Sequence, residues 1–76
     1  MNIKIFGKLT DIFLNEKYQL NKKVSTVLDL KETLENYFPD LKSLNYLIII
    51  NNQNAKESDP IPEEAEIALL PPYSGG

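Results

Sequence analysis

The sequence predicts an α+β domain in which a mixed sheet of four to five strands is covered by one main helix. Three observations carry this. NIKIF at the start alternates polar and apolar residues. VSTVLDLKETLENYFPD holds one apolar stripe at helical spacing. YLIIIN and EIALL are short β-rich runs that return to the sheet after the helix. A hairpin, then a helix, then returning strands is the pattern of a helix layer on a sheet.

In order along the chain, residues 2–6 read as a strand with Ile3 and Ile5 facing inward. Phe6 falls on the opposite face, as a second core contact or as part of an exposed patch, and Gly7 ends the run. Residues 8–15 have Leu9, Ile12 and Phe13 at helical spacing, but the stretch is short and is expected to be a loop or a single helical turn. EKYQLN, residues 16–21, alternates again and suits an antiparallel partner for the first strand. The helix is expected over 26–37, with Val27, Leu30, Leu34 and Phe38 on its inner face. Thr26 followed by Asp29 is a weak capping box, and Pro39 stops the helix near Tyr37. Residues 46–51 lack alternation, which predicts a strand buried on both faces or near the sheet centre. NNQN, 51–54, is turn chemistry; 55–57 is expected as a short edge strand, 58–66 as a loop, and 66–70 as the last strand. A long crossover separates first and last strands, so their pairing can be parallel.

Composition narrows the chemistry. The chain has 76 residues, with no cysteine and no histidine. It therefore has no thiolate nucleophile, no disulfide and no side chain that ordinarily titrates near neutrality. An enzyme acting alone would have to use carboxylates, lysines, tyrosines or hydroxyls, and the best cluster, Glu63, Glu64 and Glu66, reads as a solvated turn. No metal site is expected. Net charge is −3 and all eight basic residues are lysine. The lack of arginine and of a basic face interleaved with aromatics argues against nucleic acid. Residues 1–23 carry +3 and residues 24–76 carry −6, which reads as solvated surface charge or as an acidic half that steers the chain toward a basic partner. The longest apolar run, 46–50, is far short of the 18 or more residues of a membrane span. The N-terminus shows no signal-peptide pattern, so the chain reads as cytosolic with no membrane role.

The tail is the most informative segment. EIALL runs without a linker into PPYSGG, dividing the chain into a folded domain over 1–70 and an extended diglycine tail over 71–76. Pro71 and Pro72 offer no ladder donors, so the sheet stops there. They also hold the exit extended. Ser74, Gly75 and Gly76 add almost no bulk, so such an end fits a narrow channel. The Gly76 carboxylate, with an ordinary pKa of about 3.3–3.7, is ionised in the cell. Activated with ATP by a partner, it becomes a mixed anhydride open to sulfur or nitrogen nucleophiles. The alternative is that the last residues are a disordered end.

The octet LLPPYSGG, with weaker matches in IKIFGKL, STVLDLKETL and INNQ, resembles the small subunit of molybdopterin synthase, a sulfur carrier of the ubiquitin-like β-grasp fold. Two departures stand out: Tyr73 replaces a small aliphatic residue, and EEAE replaces an Asp-Gly-type turn. The resemblance implies that an ATP-dependent adenylating and sulfurating enzyme converts the Gly76 carboxylate into a thiocarboxylate. The tail, Pro71, Pro72, Tyr73, Ser74 and Gly75, would then insert into the large synthase subunit, in a heterotetramer of two small and two large subunits. There the sulfur would build the dithiolene of the molybdenum cofactor. The chain itself would bind no cofactor and supply no active-site side chains; ATP would be used by the activating enzyme.

Phe6 and Leu70 match positions at which the family presents apolar side chains to partners, while Leu69 points to the core. Other readings share the fold: a sulfur carrier for thiamine or tRNA thiolation, or a ubiquitin-like modifier joined to lysines through Gly76. Ubiquitin's tail is basic and flexible, whereas this one is uncharged and stiffened, which favours one fixed partner. From a different class, the chain would be a non-catalytic interaction module indifferent to its terminus.

Overall fold

Alternation in the first strand decides which side of the sheet becomes the core. In the computed structural model, which describes residues 1–71, strand β1 (Asn2–Ile5) buries Ile3 and Ile5 and exposes Asn2 and Lys4. Strand β2 (Lys17–Gln19) pairs antiparallel with it, Ile3 opposite Tyr18. Met1 and Leu20 close the pair beyond the assigned strands: the Leu20 N–H donates to the Met1 carbonyl at 2.8 Å, and the Met1 amine donates to the Leu20 carbonyl at 3.2 Å.

Between them, Leu9–Phe13 forms a five-residue helix, α1, that buries Leu9 and Phe13. This is the single-turn alternative expected for residues 8–15. Its last N–H bond is made by Leu14, which has φ +60°.

The main helix, α2, spans Val27–Tyr37. The Thr26 Oγ1 accepts from the Asp29 N–H at 3.2 Å, and the Asp29 carboxylate accepts from the Ser25 N–H at 3.3 Å. This is a capping box with its return bond displaced by one residue. Val27, Leu30 and Leu34 are buried against the sheet, as the spacing predicts, and Thr33 joins them. Each such aliphatic contributes about 1.5–3 kcal/mol by burial. An isolated helix of this length is marginal in water, so packing holds it in place. Tyr37 is the last helical residue, ahead of Pro39 as expected.

A 3₁₀ helix, Pro39–Ser43, was not legible in the sequence and brings the fully buried Leu41 under α2. Phe38 lands beside Phe13 and Tyr18, with ring centroids 4.3 and 5.2 Å away. The aromatic trio seals the β2 edge of the core.

Strand β3 (Leu47–Ile50) is an inner strand next to the centre of the sheet, the second of the two placements expected for it and not the first. It is not buried on both faces: Ile48 and Ile50 face the core, whereas Leu47 is 42% exposed. Only one helix layer covers this sheet, so an unbroken apolar run must leave half its side chains outside. The edge strand also moves. The strand β4 is Gln53–Asn54 rather than 55–57, because Asn51 and Asn52 both adopt left-handed φ (+50° and +68°) and complete a two-residue turn. Asparagine tolerates that conformation best among residues with a Cβ. The Ala55 N–H still bonds the Ile48 carbonyl, but the chain then turns to the helix start. There the Glu57 and Asp59 carbonyls accept the Leu28 and Val27 N–H groups, both at 2.9 Å. Residues 55–59 thus satisfy helix donors that would otherwise be orphaned.

The last strand, β5 (Ile67–Leu70), lies in the middle of a five-stranded sheet of order β2-β1-β5-β3-β4. It is parallel to β1, with Ile3 opposite Ile67 and Ile5 opposite Leu69, and antiparallel to β3. The loop before it places Glu64 at φ +60°, so EEAE makes a left-handed turn position without glycine.

Glu64 carries strain of about 1 kcal/mol that glycine would not. Glu64→Gly is therefore expected to leave stability unchanged or raise it by up to about 1 kcal/mol, whereas Leu34→Ala costs about 2–5 kcal/mol. Urea unfolding measures both, and a destabilised Glu64→Gly contradicts the turn assignment.

The half-buried Tyr46 donates its hydroxyl to Glu35 at 2.7 Å, tying the start of β3 to α2. Burial first, then this hydrogen bond and the charges of Glu35 and Glu57, raise its pKa above the usual phenol value. A raised pKa means that the contribution of the tyrosine to stability is fully present below its unfolded pKa of about 10 and is lost as pH rises from there toward the folded one. Wild-type stability should fall more steeply above about pH 10 than that of Tyr46→Phe, as read by denaturant midpoints across pH. Parallel profiles would contradict this.

Candidate functional site

Side-chain alternation along the three middle strands assembles the site. Ile67 and Leu69 of β5 point into the core, with Leu69 fully buried as its position predicts. Ala68 and Leu70 face the other way and are half-buried. On that outer face Ala68 lies opposite Lys4 of β1 and Ile49 of β3, and Leu70 lies opposite Leu47.

Phe6 belongs to the same face. Its N–H donates to the Leu69 carbonyl at 3.1 Å, extending the parallel ladder one step past Ile5. Phe6 is 47% exposed and outside the core. Phe6 and Leu70, which the sequence singles out as partner-facing, line one open groove of about 420 Å³ with Lys4, Ile49, Glu66 and Ala68.

The tail leaves from this end of the sheet. β5 passes directly into Pro71, which is half-buried. Pro72, Tyr73, Ser74, Gly75 and Gly76, expected from the resemblance to be the inserting segment and the reactive carboxylate, lie outside the described residues. Among the described residues no cluster of three or more Asp or Glu is arranged to hold a metal, and no helix is long and apolar enough to cross a membrane.

A larger open concavity of about 910 Å³ wraps the opposite ends of β1 and β5. Lys4, Lys17, Lys22 and Lys23 line it together with Glu63, Glu64 and Glu66. The split between a basic first third and an acidic remainder is thus not a spatial split here, because the parallel ladder brings the two segments together. One ion pair is formed among the described residues, Lys31 to Glu57 at 3.3 Å, and both partners are well exposed. Such a pair contributes little.

Three contributors escaped the sequence reading. Leu47 and Ile49 widen the apolar outer face. The rule that successive strand residues alternate, applied to LIII on a sheet with one helix layer, would have found them. Gly7 was read only as the end of a strand. Its φ is +59° and it lies against Pro71. A glycine directly after the first strand, facing a proline directly after its neighbour, is the signal.

A mixed five-stranded sheet with one main helix across a face, and a middle strand that runs directly into Pro71, is the ubiquitin-like β-grasp arrangement. The chain belongs to the ThiS family, whose model matches residues 3–76. This is a family of ubiquitin-like sulfur carriers and modifiers, and the expected β-grasp fold is the fold of this chain. SAMP1 from Haloferax volcanii superposes with a TM-score of 0.78 at 23% identity, over 99% of this chain and 97% of that one. A candidate molybdopterin converting factor subunit 1 from Pyrococcus furiosus gives 0.83 at 13% identity, over 95% of each chain. A chain of the BexX/CysO complex from Amycolatopsis orientalis gives 0.75 at 16% identity, over 99% of this chain and 98% of that one. At these identities the likeness is one of fold.

Because the Phe6 ring is half exposed, Phe6→Ala should change stability by less than about 1 kcal/mol. Its neighbour across the ladder behaves differently: Leu69→Ala should cost about 2–5 kcal/mol. Equal losses in urea unfolding would show that Phe6 serves the core and is not free to meet a partner.

Proposed function

We propose that this chain is the sulfur-donating small subunit of a molybdopterin synthase, with the Gly76 carboxylate as its working group. The observation that carries the proposal is the exit of the tail. The middle strand, anchored on both sides, runs without a linker into Pro71, at the end of the sheet where Phe6 and Leu70 line an exposed apolar groove. A partner can read the groove as an address while it receives the tail. The paired prolines favour insertion into one fixed partner over attachment to many.

The chemistry follows from the carboxylate. Its oxygen attacks the α-phosphorus of ATP on an activating enzyme, and pyrophosphate leaves. The terminal sulfur of a protein persulfide attacks the acyl carbon, and AMP leaves. A second thiol then cleaves the sulfur–sulfur bond, leaving a disulfide on the donor side and a thiocarboxylate on Gly76. In the large subunit this sulfur attacks a carbon of the pterin precursor and displaces an oxygen leaving group. Water then cleaves the thioester so formed, which returns the carboxylate and leaves the sulfur on the pterin. A second charged chain repeats the transfer to supply the second sulfur of the dithiolene. Neither histidine nor cysteine exists in this chain to assist, so acid, base and thiol groups come from the partners. The chain contributes the sulfur atom and the address. The groove also serves the large subunit in a complex of two small and two large chains.

Incubation with ATP, the activating enzyme and a persulfide donor should raise the intact mass by about 16 Da, oxygen replaced by sulfur. Addition of the large subunit with precursor should return the mass and yield the dithiolene. A mass that never changes rejects the carrier reading. A thiocarboxylate that supplies a thiazole or a tRNA base but not the pterin moves the chain to another pathway. Attachment of Gly76 to lysines of other proteins identifies a modifier.

A further inference from the structure

We infer that Gly7 is a positioning residue for the tail: its bare Cα is the seat on which Pro71 rests, and it sets the direction in which the C-terminus leaves the sheet. The inference rests on the carrier reading above and adds to it a residue some 64 positions distant in sequence from the tail's first proline.

The contact is close. A methyl carbon on Gly7 would lie 2.7 Å from the Pro71 Cγ and 3.2 Å from its Cδ. Carbon atoms prefer about 3.5–4.0 Å. The first distance admits no Cβ, and the ring that would have to move is not the far end of a flexible chain. It is closed onto the backbone of the tail's own root. A change of ring pucker moves the Cγ, but the Cδ at 3.2 Å is bonded to the backbone nitrogen, so full relief still displaces the root.

The seat is also held rigid from both sides. Behind it, the Phe6 N–H bonds the Leu69 carbonyl at 3.1 Å, fixing β1 to β5 one residue before the seat. Ahead of it, the Gly7 carbonyl accepts twice from Thr10, from its N–H at 3.1 Å and its hydroxyl at 2.8 Å. Gly7 itself has φ +59°, a region that glycine enters freely and other residues at a cost. Two requirements thus fall on one position, a left-handed turn and a clear Cα. Asparagine meets the first requirement and fails the second, which allows them to be separated.

The consequence grows with distance. Five residues follow Pro71, and when a partner holds them extended they reach at most about 17 Å. A tilt of about 10° at the root displaces such an end by about 3 Å, and misplacement of a reacting group by about 1 Å can cost about 100-fold.

The test compares wild type, Gly7→Asn, Pro71→Gly and the double variant, using the activating enzyme that charges the wild-type tail. Each is followed by thiocarboxylate formation against carrier concentration and by thermal unfolding. Gly7→Asn should lower kcat/KM for charging about tenfold or more, with the loss present at temperatures where the variant is fully folded. In the Pro71→Gly background the same substitution should cost less than about twofold, because the clash has no partner. A nuclear Overhauser contact between the Gly7 α-protons and the Pro71 γ-protons should be present in wild type. An absent contact, an undiminished kcat/KM in Gly7→Asn, or an equal loss in both backgrounds overturns the assignment of Gly7. A wild-type tail that is never charged overturns the carrier reading instead, and with it any role for the seat.

Discussion

The parallel ladder between Asn2–Ile5 and Ile67–Leu70 is the constraint on which the rest depends. It joins the two ends of the chain at the middle of the sheet, with Ile3, Ile5, Ile67 and Leu69 buried on one side of it. Parallel strands need a long crossover, and here the crossover carries α2, the 3₁₀ helix and the β3–β4 hairpin. Because both strands run the same way, both finish at the same end. Phe6, Gly7, Leu70 and Pro71 converge there for that reason alone. A shift of one residue in this register would exchange core and outer faces along β5 and separate Pro71 from Gly7.

The two faces of the sheet consequently have different tasks. The inner face is filled by isoleucine, leucine and valine under α2, with the aromatic trio Phe13, Tyr18 and Phe38 closing one edge. The outer face is graded. Lys17, Lys22, Lys23, Glu63 and Glu64 line the concavity where β1 and β5 begin, Lys4 and Glu66 border both hollows, and Phe6, Ile49, Ala68 and Leu70 line the groove toward the end where the strands finish. The groove lined by Phe6 and Leu70 lies beside the tail root, so on the proposed function one partner would contact both. A chain of 76 residues buries only about 60% of its unfolded surface, and of the large apolar side chains it leaves exposed, Phe6 and Leu47 lie on this outer face whereas Leu14, Leu28, Tyr37 and Leu44 lie elsewhere.

Much of this was legible in the sequence wherever a local rule acted alone. Period two gave Ile3 and Ile5, period 3.6 gave Val27, Leu30 and Leu34, and Pro39 gave the end of α2. The antiparallel hairpin, the parallel pairing and the buried Leu69 followed from connectivity and alternation. Rules failed where a residue answered to a distant neighbour. Residues 55–57 were expected to extend the sheet, but the open N–H groups of Val27 and Leu28 draw the chain away. Leu47 and Ile49 resemble core residues in isolation, and only the number of layers shows that they face outward. Gly7 looks like a strand terminator until Pro71 is placed beside it. The reading of the tail rests on the sequence alone, because residues 72–76 lie outside the described ones.

The account stands or falls on the terminal carboxylate. The most direct measurement is cofactor assembly in a reconstituted system, with the wild-type chain replaced by one that carries a single alanine after Gly76. The body, groove and seat are then unchanged, and only the position of the carboxylate differs. The account predicts no thiocarboxylate on the extended chain and assembly at the level seen without any small chain. Assembly at the wild-type rate would contradict it, and would place the function in the folded surface instead.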